Sequence, residues 1–174
     1  MKIVEFYRGE RGNCNGDTLD QMVGLWTDGM LEMDHDYIQW MFPSNEPSML
    51  NCDAPVLTKD ESKIFESDPE LQEKVKQSFI RFLKVLQFKM SRDDDAIRIE
   101  AIEPENTPGW LRTFNHNMLR VTRVLKCLRL TGNTRYANAF YDALRPYFVQ
   151  VSPNTYKFWT SAIFDPLWPE VVKL

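Results

Sequence analysis

At 174 residues, with 43% hydrophobic and 26% charged residues, the chain has the size and composition of one globular domain with a full core. Its formal net charge of −4 argues against bulk electrostatic capture of nucleic acid or of an anionic membrane. Three distant cysteines, Cys14, Cys52 and Cys127, argue against a disulfide framework and favour a reducing compartment, the cytoplasm. Because no apolar run approaches the roughly 18 residues of a membrane helix, and the N-terminus lacks an apolar signal region, we expect neither a membrane span nor export.

The N-terminal third is predicted to contain an extended arm followed by two short helices. The apolar residues of "MKIVEFYRG" predict an arm pinned to the core. Asp17 is a plausible helix cap, and the apolar spacing after it predicts a helix that runs to about Trp26. The segment "HDYIQWMFP" predicts a second short helix, capped by Asp34 and ended by Pro43.

Capping signals are clearest in the middle of the chain. Thr58 and Glu61 fit a capping box at the start of a short helix. Asp68 as the cap and Pro69 in the first turn predict a long helix with an apolar stripe. The acidic run at residues 93–95 predicts a solvated loop, and "AIRIEAI" after it either forms a short strand or lies extended against the core.

Three further helices are predicted in the C-terminal part. The first ends at Gly132, which serves as a C-terminal cap. The second is "TRYANAFYDALRPYF", and the third begins with Ser152 as the cap and Pro153 in the first turn. Together these elements predict an all-α fold: a single compact helical domain over residues 1–174, with six or seven helices and irregular loops.

Two segments form a specific pair of motifs. The motif residues of the first segment are His35, Tyr37, Ile38, Gln39, Trp40, Phe42 and Pro43. The motif residues of the second are His116, Asn117, Leu119, Arg120, Thr122, Arg123, Leu125 and Lys126. In this order they resemble the conserved region of the opioid growth factor receptor family, and the resemblance covers most of the chain, up to about Phe148.

The resemblance implies a functional class. The family's animal members are described as intracellular, perinuclear receptors for an enkephalin pentapeptide that restrains proliferation, and they are unrelated to the seven-helix opioid receptors. For this chain it implies a receptor-type domain that binds a peptide. We expect residues 1–174 to lack the long charged C-terminal extension and the repeats that some members carry.

The helix that follows His116 contains a polar stripe with two interpretations. At roughly 100° per residue, His116, Arg120 and Arg123 share one side of the helix. Two guanidinium groups and an imidazole one turn apart can clamp a carboxylate or another planar anion. The other interpretation is that both arginines pair with acidic residues, such as Glu32, Asp34 or Asp36, and fasten two helices together, which base rates for partly buried arginine favour.

The two motifs together predict a ligand-binding cleft. On one wall Tyr37 and Trp40 would offer apolar surface, with His35 and Gln39 at the polar rim. The alternative for Trp40 is an ordinary position in the hydrophobic core, and this is the more frequent role of such a residue. The opposite wall would bind a carboxylate. The predicted ligand-binding residues are His35, Tyr37, Gln39, Trp40, His116, Asn117, Arg120 and Arg123.

Other classes of function have weaker support in the sequence. The two histidines lack metal-binding spacing, so we predict no metal and no cofactor. Cys127 shares the stripe of His116, but eleven residues separate them, too far for a proton relay, and we assign no catalytic residue. The two helices around Gly132 could form a helix-turn-helix, although their basic residues lie on separate arcs. The sequence therefore favours a non-catalytic module for a peptide or small anion; the alternative is a nucleic-acid-associated or enzymatic accessory protein, and the oligomeric state stays open.

Overall fold

Capping residues and apolar spacing determine where most helices begin in the computed structural model of the protein, which describes residues 1–48, 54–106, 108–111 and 116–168. Nine α-helices are found within these residues. They are α1 (Lys2–Tyr7), α2 (Leu19–Gly24), α3 (Asp28–Met33), α4 (Tyr37–Met41), α5 (Lys59–Ser67), α6 (Pro69–Val85), α7 (Asn117–Leu130), α8 (Thr134–Leu144) and α9 (Pro153–Phe164). None of the described helices is both long and apolar enough to cross a membrane.

A β-hairpin between α6 and α7 shows that the all-α prediction was wrong. Strands β1 (Phe88–Asp93) and β2 (Ala96–Ala101) pair antiparallel, so the fold is mixed, with nine described helices where six or seven were predicted. The acidic run predicted as a solvated loop supplies the last residue of β1 and the hairpin turn. Asp94 adopts φ +52 there, a left-handed conformation that aspartate tolerates better than most residues. Of the two conformations expected for "AIRIEAI", the strand is the one present.

Two of the short helices were not recognised from the sequence. The segment predicted as an extended arm is α1, and its inward residues are buried as expected. Thr27 is the N-cap of α3, and its hydroxyl accepts a hydrogen bond from the Met30 amide (3.2 Å). Helices of six residues do not form alone in water, so contacts with the rest of the protein must stabilise them, and local patterns reveal them poorly.

The cap of α2 is Thr18, not Asp17 as predicted, and α2 ends at Gly24, before the predicted end near Trp26. Four other predicted caps are confirmed. The Thr58 hydroxyl accepts from the Glu61 amide (3.2 Å), and the Glu61 carboxylate accepts from the Thr58 amide (3.0 Å), which completes the capping box of α5. Asp68 accepts from the first-turn amides of α6 at 3.0 and 3.3 Å. Gly132 ends α7 with φ +79, and Ser152 caps α9.

The core is rich in aromatic rings. Phe140 of α8 lies between the rings of Phe79, Phe82 and Phe88, at centroid distances of 5.5, 6.4 and 6.1 Å. The Trp159 indole of α9 donates to the carbonyl of Met118 (3.0 Å), in the first turn of α7. Helix α7 packs against α8 and α9, and its N-terminal turn reaches the segment that carries α3 and α4.

Candidate functional site

The two motif segments meet at their histidines. The rings of His35 and His116 contact each other edge to face, with centroids 5.4 Å apart. Nε2 of His116 lies 3.0 Å from Oε1 of Glu32, at the end of α3. The first turn of α7 and the α3–α4 segment thus form one polar cluster, although about eighty residues separate them in sequence.

Three side chains of α7 and its N-terminus converge on a single carboxylate. Nη1 of Arg120 donates to Oε2 of Glu32 (3.1 Å), and Nδ2 of Asn117 donates to Oε1 (3.2 Å). With the contact from His116, a guanidinium, an amide and an imidazole surround this carboxylate. We call Glu32, His35, His116, Asn117 and Arg120 the Glu32 cluster. Its chemistry is that of a carboxylate receptor, and the carboxylate it holds belongs to the protein itself.

Arg120 is the buried centre of this cluster, with only 4% of its surface exposed. Its Nη2 donates to the main-chain carbonyls of Asp34 (3.0 Å) and Glu32 (3.4 Å). Its guanidinium also lies 5.0 Å from the centroid of the Tyr37 ring, a cation–π contact. Of the two arrangements that the sequence left open for Arg120, the structure contains the pairing with an acidic residue, Glu32.

Tyr37 is buried beneath Arg120. Burial raises the pKa of Tyr37 to about 12; the charge of Arg120 opposes this shift and that of Glu32 reinforces it. Its hydroxyl has no hydrogen-bond partner among the described residues. A buried hydroxyl without a partner is unusual, because its desolvation is not compensated.

The side chains of Asp34 and Gln39 form hydrogen bonds with the main chain of their own segment. The N-cap of α4 is Asp36, not Asp34 as predicted, but the Asp34 carboxylate accepts from the amides of Asp36 (2.7 Å) and Tyr37 (2.9 Å) at the start of this helix. The side-chain amide of the buried Gln39 is oriented so that its nitrogen faces two carbonyl oxygens. It donates to the carbonyls of Asp36 (2.6 Å) and His35 (3.0 Å). Gln39 therefore holds the His35 turn in shape and does not face the Glu32 carboxylate.

Two of the predicted ligand-binding residues lie away from the Glu32 cluster. Trp40 packs against Phe6 (5.1 Å between centroids) and under the guanidinium of Arg11 (5.7 Å), and it lines a separate groove. Nε of Arg123 donates to the carbonyl of Phe42 (2.7 Å), and burial lowers the pKa of this guanidinium. The structure thus brings together His35, Tyr37, His116, Asn117 and Arg120, but not Trp40 or Arg123.

An open groove lies beside the cluster. It has a volume of about 420 Å³, and the residues of α3 that line it are Asp28, Gly29 and Glu32. The facing wall contains Trp110 and Asn117. The Glu32 side chain is 40% exposed, so its carboxylate can be approached from outside although its donors are largely buried.

Comparison with known proteins identifies the family. Residues 1–151 match the opioid growth factor receptor (OGFr) conserved region, which includes both motif segments. The chain is 34% identical to the human opioid growth factor receptor over 132 residues, covering 74% of this chain and 19% of that protein. The chain belongs to the opioid growth factor receptor family.

Other family members give the same result. The rat opioid growth factor receptor is 33% identical over 143 residues, covering 78% of this chain and 24% of the receptor. The opioid growth factor receptor-like protein 1 of Xenopus tropicalis is 32% identical over 143 residues, covering 79% of this chain and 26% of that protein. The matched region is thus about a fifth to a quarter of these relatives' length. No solved structure matches the chain significantly.

A second carboxylate contact in this OGFr region was missed in the sequence. Nη1 of Arg81, on α6, lies 2.6 Å from Oδ1 of Asp28, and its Nη2 donates to the carbonyl of Trp26 (2.8 Å). Asp28 and Glu32 are four residues apart, so both carboxylates lie on one face of α3, the face that contacts Arg81 and Arg120. In the sequence, Thr27 as a cap and the spacing of Asp28 and Glu32 could have indicated α3. No pattern in the neighbouring residues indicated that Arg81 is the partner of Asp28.

The remaining basic side chains of α7 are also engaged within the chain. Lys126 pairs with Glu46 (2.5 Å). Arg129 donates to the carbonyls of Ala162 (2.9 Å) and Asp165 (3.0 Å) at the end of α9. A recognition helix keeps its basic groups available for phosphates and bases, so this arrangement does not favour the helix-turn-helix interpretation.

The structure offers little support for thiol or metal chemistry. Burial raises the pKa of Cys127 to about 12, so its thiol is protonated at neutral pH and is not an activated nucleophile. Cys14 is exposed, and Cys52 lies outside the described residues. Over the part of the chain that the structure describes, no three histidine, cysteine or acidic side chains gather in a way that would hold a metal ion.

The stability of this OGFr domain is expected to depend on the protonation of His116. Burial and then the charge of Arg120 lower the pKa of His116 below its ordinary value of 6.5, although Glu32 opposes them. Because the unfolded chain then binds this proton more tightly, the free energy of unfolding should fall as the pH decreases from 6.5 to the folded pKa, with no further loss from this group below it.

This prediction can be checked by urea unfolding between about pH 7.5 and pH 5. His116→Gln removes the titrating group and should flatten the pH dependence in this range. An unchanged slope in the variant would show that other groups are responsible.

Proposed function

We propose that the chain is a non-catalytic binding module that recognises the carboxylate of a peptide or of a small organic anion at the Glu32 cluster. One observation carries this proposal: Arg120 and Asn117 donate to one carboxylate, and the imidazole of His116 contacts it. A carboxylate from a ligand would take the place of Glu32 and receive the same donors.

The donors are fixed before any ligand arrives. Two carbonyl oxygens hold the Arg120 guanidinium, and Asn117 is buried beside it, with its Oδ1 accepting from Arg120 Nη1 (3.2 Å). A preorganised donor set loses little conformational entropy on binding, which favours affinity. Glu32 is a half-exposed residue of a short surface helix, so it can give way to a competitor.

The family favours a peptide over a small anion as the ligand. The relatives are named as receptors of a growth factor, and their matched region contains both motifs that build the cluster. The groove beside Glu32 provides room for further residues of a peptide, with Trp110 on its facing wall. We therefore infer that the peptide places its C-terminal carboxylate at Arg120 and extends along this groove.

Removing the internal carboxylate tests the proposal. Glu32→Ala should bind an enkephalin pentapeptide with a free C-terminus about tenfold more tightly than the wild type, because the competing group is gone. The amidated form of the same pentapeptide should bind weakly to both proteins. Isothermal titration calorimetry measures all four affinities.

Glu105→Ala is the matched control. It removes one exposed carboxylate that belongs neither to the Glu32 cluster nor to the lining of the groove, changes the net charge equally, and should leave both affinities within about twofold of the wild type. Equal binding of the free and amidated pentapeptides by Glu32→Ala would refute carboxylate recognition, as would no binding of either.

A further inference from the structure

Helix α3 is attached to the protein mainly through polar contacts. Leu31 is the buried residue of this helix, while Met30 is exposed and Met33 is 82% exposed. A surface helix of a globular protein normally buries an apolar stripe on every turn. Helix α3 therefore has one apolar anchor in the core, Leu31, and its other contacts with the protein body are polar.

Two buried arginines hold the two ends of α3. Arg81 contacts Asp28 and the Trp26 carbonyl at its N-terminal end. Arg120 contacts Glu32 and the carbonyls behind it at the C-terminal end. Four residues of helix span about 6 Å along the axis, so the surface below α3 receives two carboxylates at that spacing.

The surface below α3 also contains an unsatisfied polar group. The Tyr37 hydroxyl is buried and has no hydrogen-bond partner in the described part of the chain. The charges of Arg120, Glu32 and Arg81 all act on it, so it lies among the groups that hold α3. The present occupant of this surface thus leaves one donor unused, which a better-fitting acidic ligand could satisfy.

We propose that Arg81, Arg120, Asn117 and the Tyr37 hydroxyl form a binding site for an acidic helical peptide segment with two carboxylates four residues apart, and that α3 occupies this site in the unliganded chain. This inference rests on the proposed function, because Arg120 is the carboxylate receptor in both, and it adds the second arginine and the ligand's spacing. Binding displaces α3 and frees its two carboxylates from Arg81 and Arg120.

Two labelled alanine-based peptides of equal composition test the inference. In one, Asp and Glu are four residues apart on one helical face; in the other they are two residues apart and diverge. Fluorescence anisotropy should show binding of the first peptide to the wild type, and about tenfold tighter binding to the Asp28→Asn, Glu32→Gln double variant, in which α3 no longer competes. The second peptide should bind at least about tenfold more weakly to both proteins.

Hydrogen exchange of the wild type provides a readout that does not depend on variants. The amides of residues 28–34 should exchange faster when the first peptide saturates the protein, because α3 is displaced. Slower exchange of these amides would mean that the peptide binds on top of α3 and would overturn the inference.

The two proposals fail in different ways. Equal affinities for the two acidic peptides, or no gain from adding Asp28→Asn to Glu32→Gln, would overturn the two-carboxylate site alone. Carboxylate recognition would still stand if Glu32→Ala distinguished free from amidated pentapeptides. The matched control for the double variant is Glu10→Gln with Glu105→Gln, two exposed carboxylates, which should leave the affinity for both acidic peptides unchanged.

Discussion

Arg120→Ala is expected to lower the free energy of unfolding by about 3 kcal/mol, because it removes the buried cation that α3 and α4 share. The change leaves the carbonyl of Asp34 without its donor and the Glu32 carboxylate without its positive partner. It also leaves a cavity against the Tyr37 ring. Equilibrium urea unfolding measures the loss.

A double-mutant cycle separates the ion pair from the other contacts of Arg120. Adding Glu32→Ala to Arg120→Ala should recover about 1 kcal/mol, since no unpaired carboxylate then remains. Arg123→Ala is the control within the same helix; Arg123 contacts one carbonyl and should cost about 1 kcal/mol. If Arg120→Ala lowered the free energy of unfolding no more than Arg123→Ala, the Glu32 cluster would not be the main contact that stabilises the segment with α3 and α4.

Phe140→Ala should be still more damaging, with a loss of about 3–5 kcal/mol. The ring is fully buried and contacts Phe79 and Phe82 of α6 and Phe88 of β1, so it joins three elements. Its removal leaves a cavity that stiff aromatic neighbours cannot fill.

The matched substitution for Phe140 is Phe158→Ala on α9. The Phe158 ring is 52% exposed, and its loss should cost less than about 1 kcal/mol. Guanidinium unfolding of both variants compares them directly. Similar losses at the two positions would contradict the core described here.

The helices that begin with strong local signals could be predicted from the sequence. The capping box of Thr58 and the Asp68–Pro69 start of α6 depend on neighbouring residues alone, and both are present in the structure. Helices α1 and α3 were missed because six residues carry too little periodicity and require tertiary contacts. The sequence offered β2 only as one of two alternatives and did not indicate β1, because the acidic turn between them has the composition of a solvated loop.

The candidate site could be predicted only in part. Pairing the two motifs indicated that His35 and His116 could meet, and the acidic partner of Arg120 was among the alternatives. Trp40 lies on a different side of the short helix α4, because successive residues turn about 100°. Arg123 lies one turn beyond Arg120 on α7 and donates to the carbonyl of Phe42, which the sequence did not indicate.

The contact of Arg81 with Asp28 could not be predicted. It joins α6 to a helix that the sequence did not reveal, and no local pattern connects residues more than fifty positions apart. The second arginine of the surface below α3 therefore required the structure.

The most direct test of carboxylate recognition is to observe the donors themselves. In Glu32→Ala, NMR signals of the Arg120 Nε–H and the Asn117 side-chain amide can be followed while the free-acid enkephalin pentapeptide is added. We predict that both signals shift saturably, with the dissociation constant found by calorimetry, and that the amidated peptide leaves them in place. Saturable binding that shifts signals elsewhere but leaves Arg120 and Asn117 unchanged would contradict a carboxylate site at the Glu32 cluster.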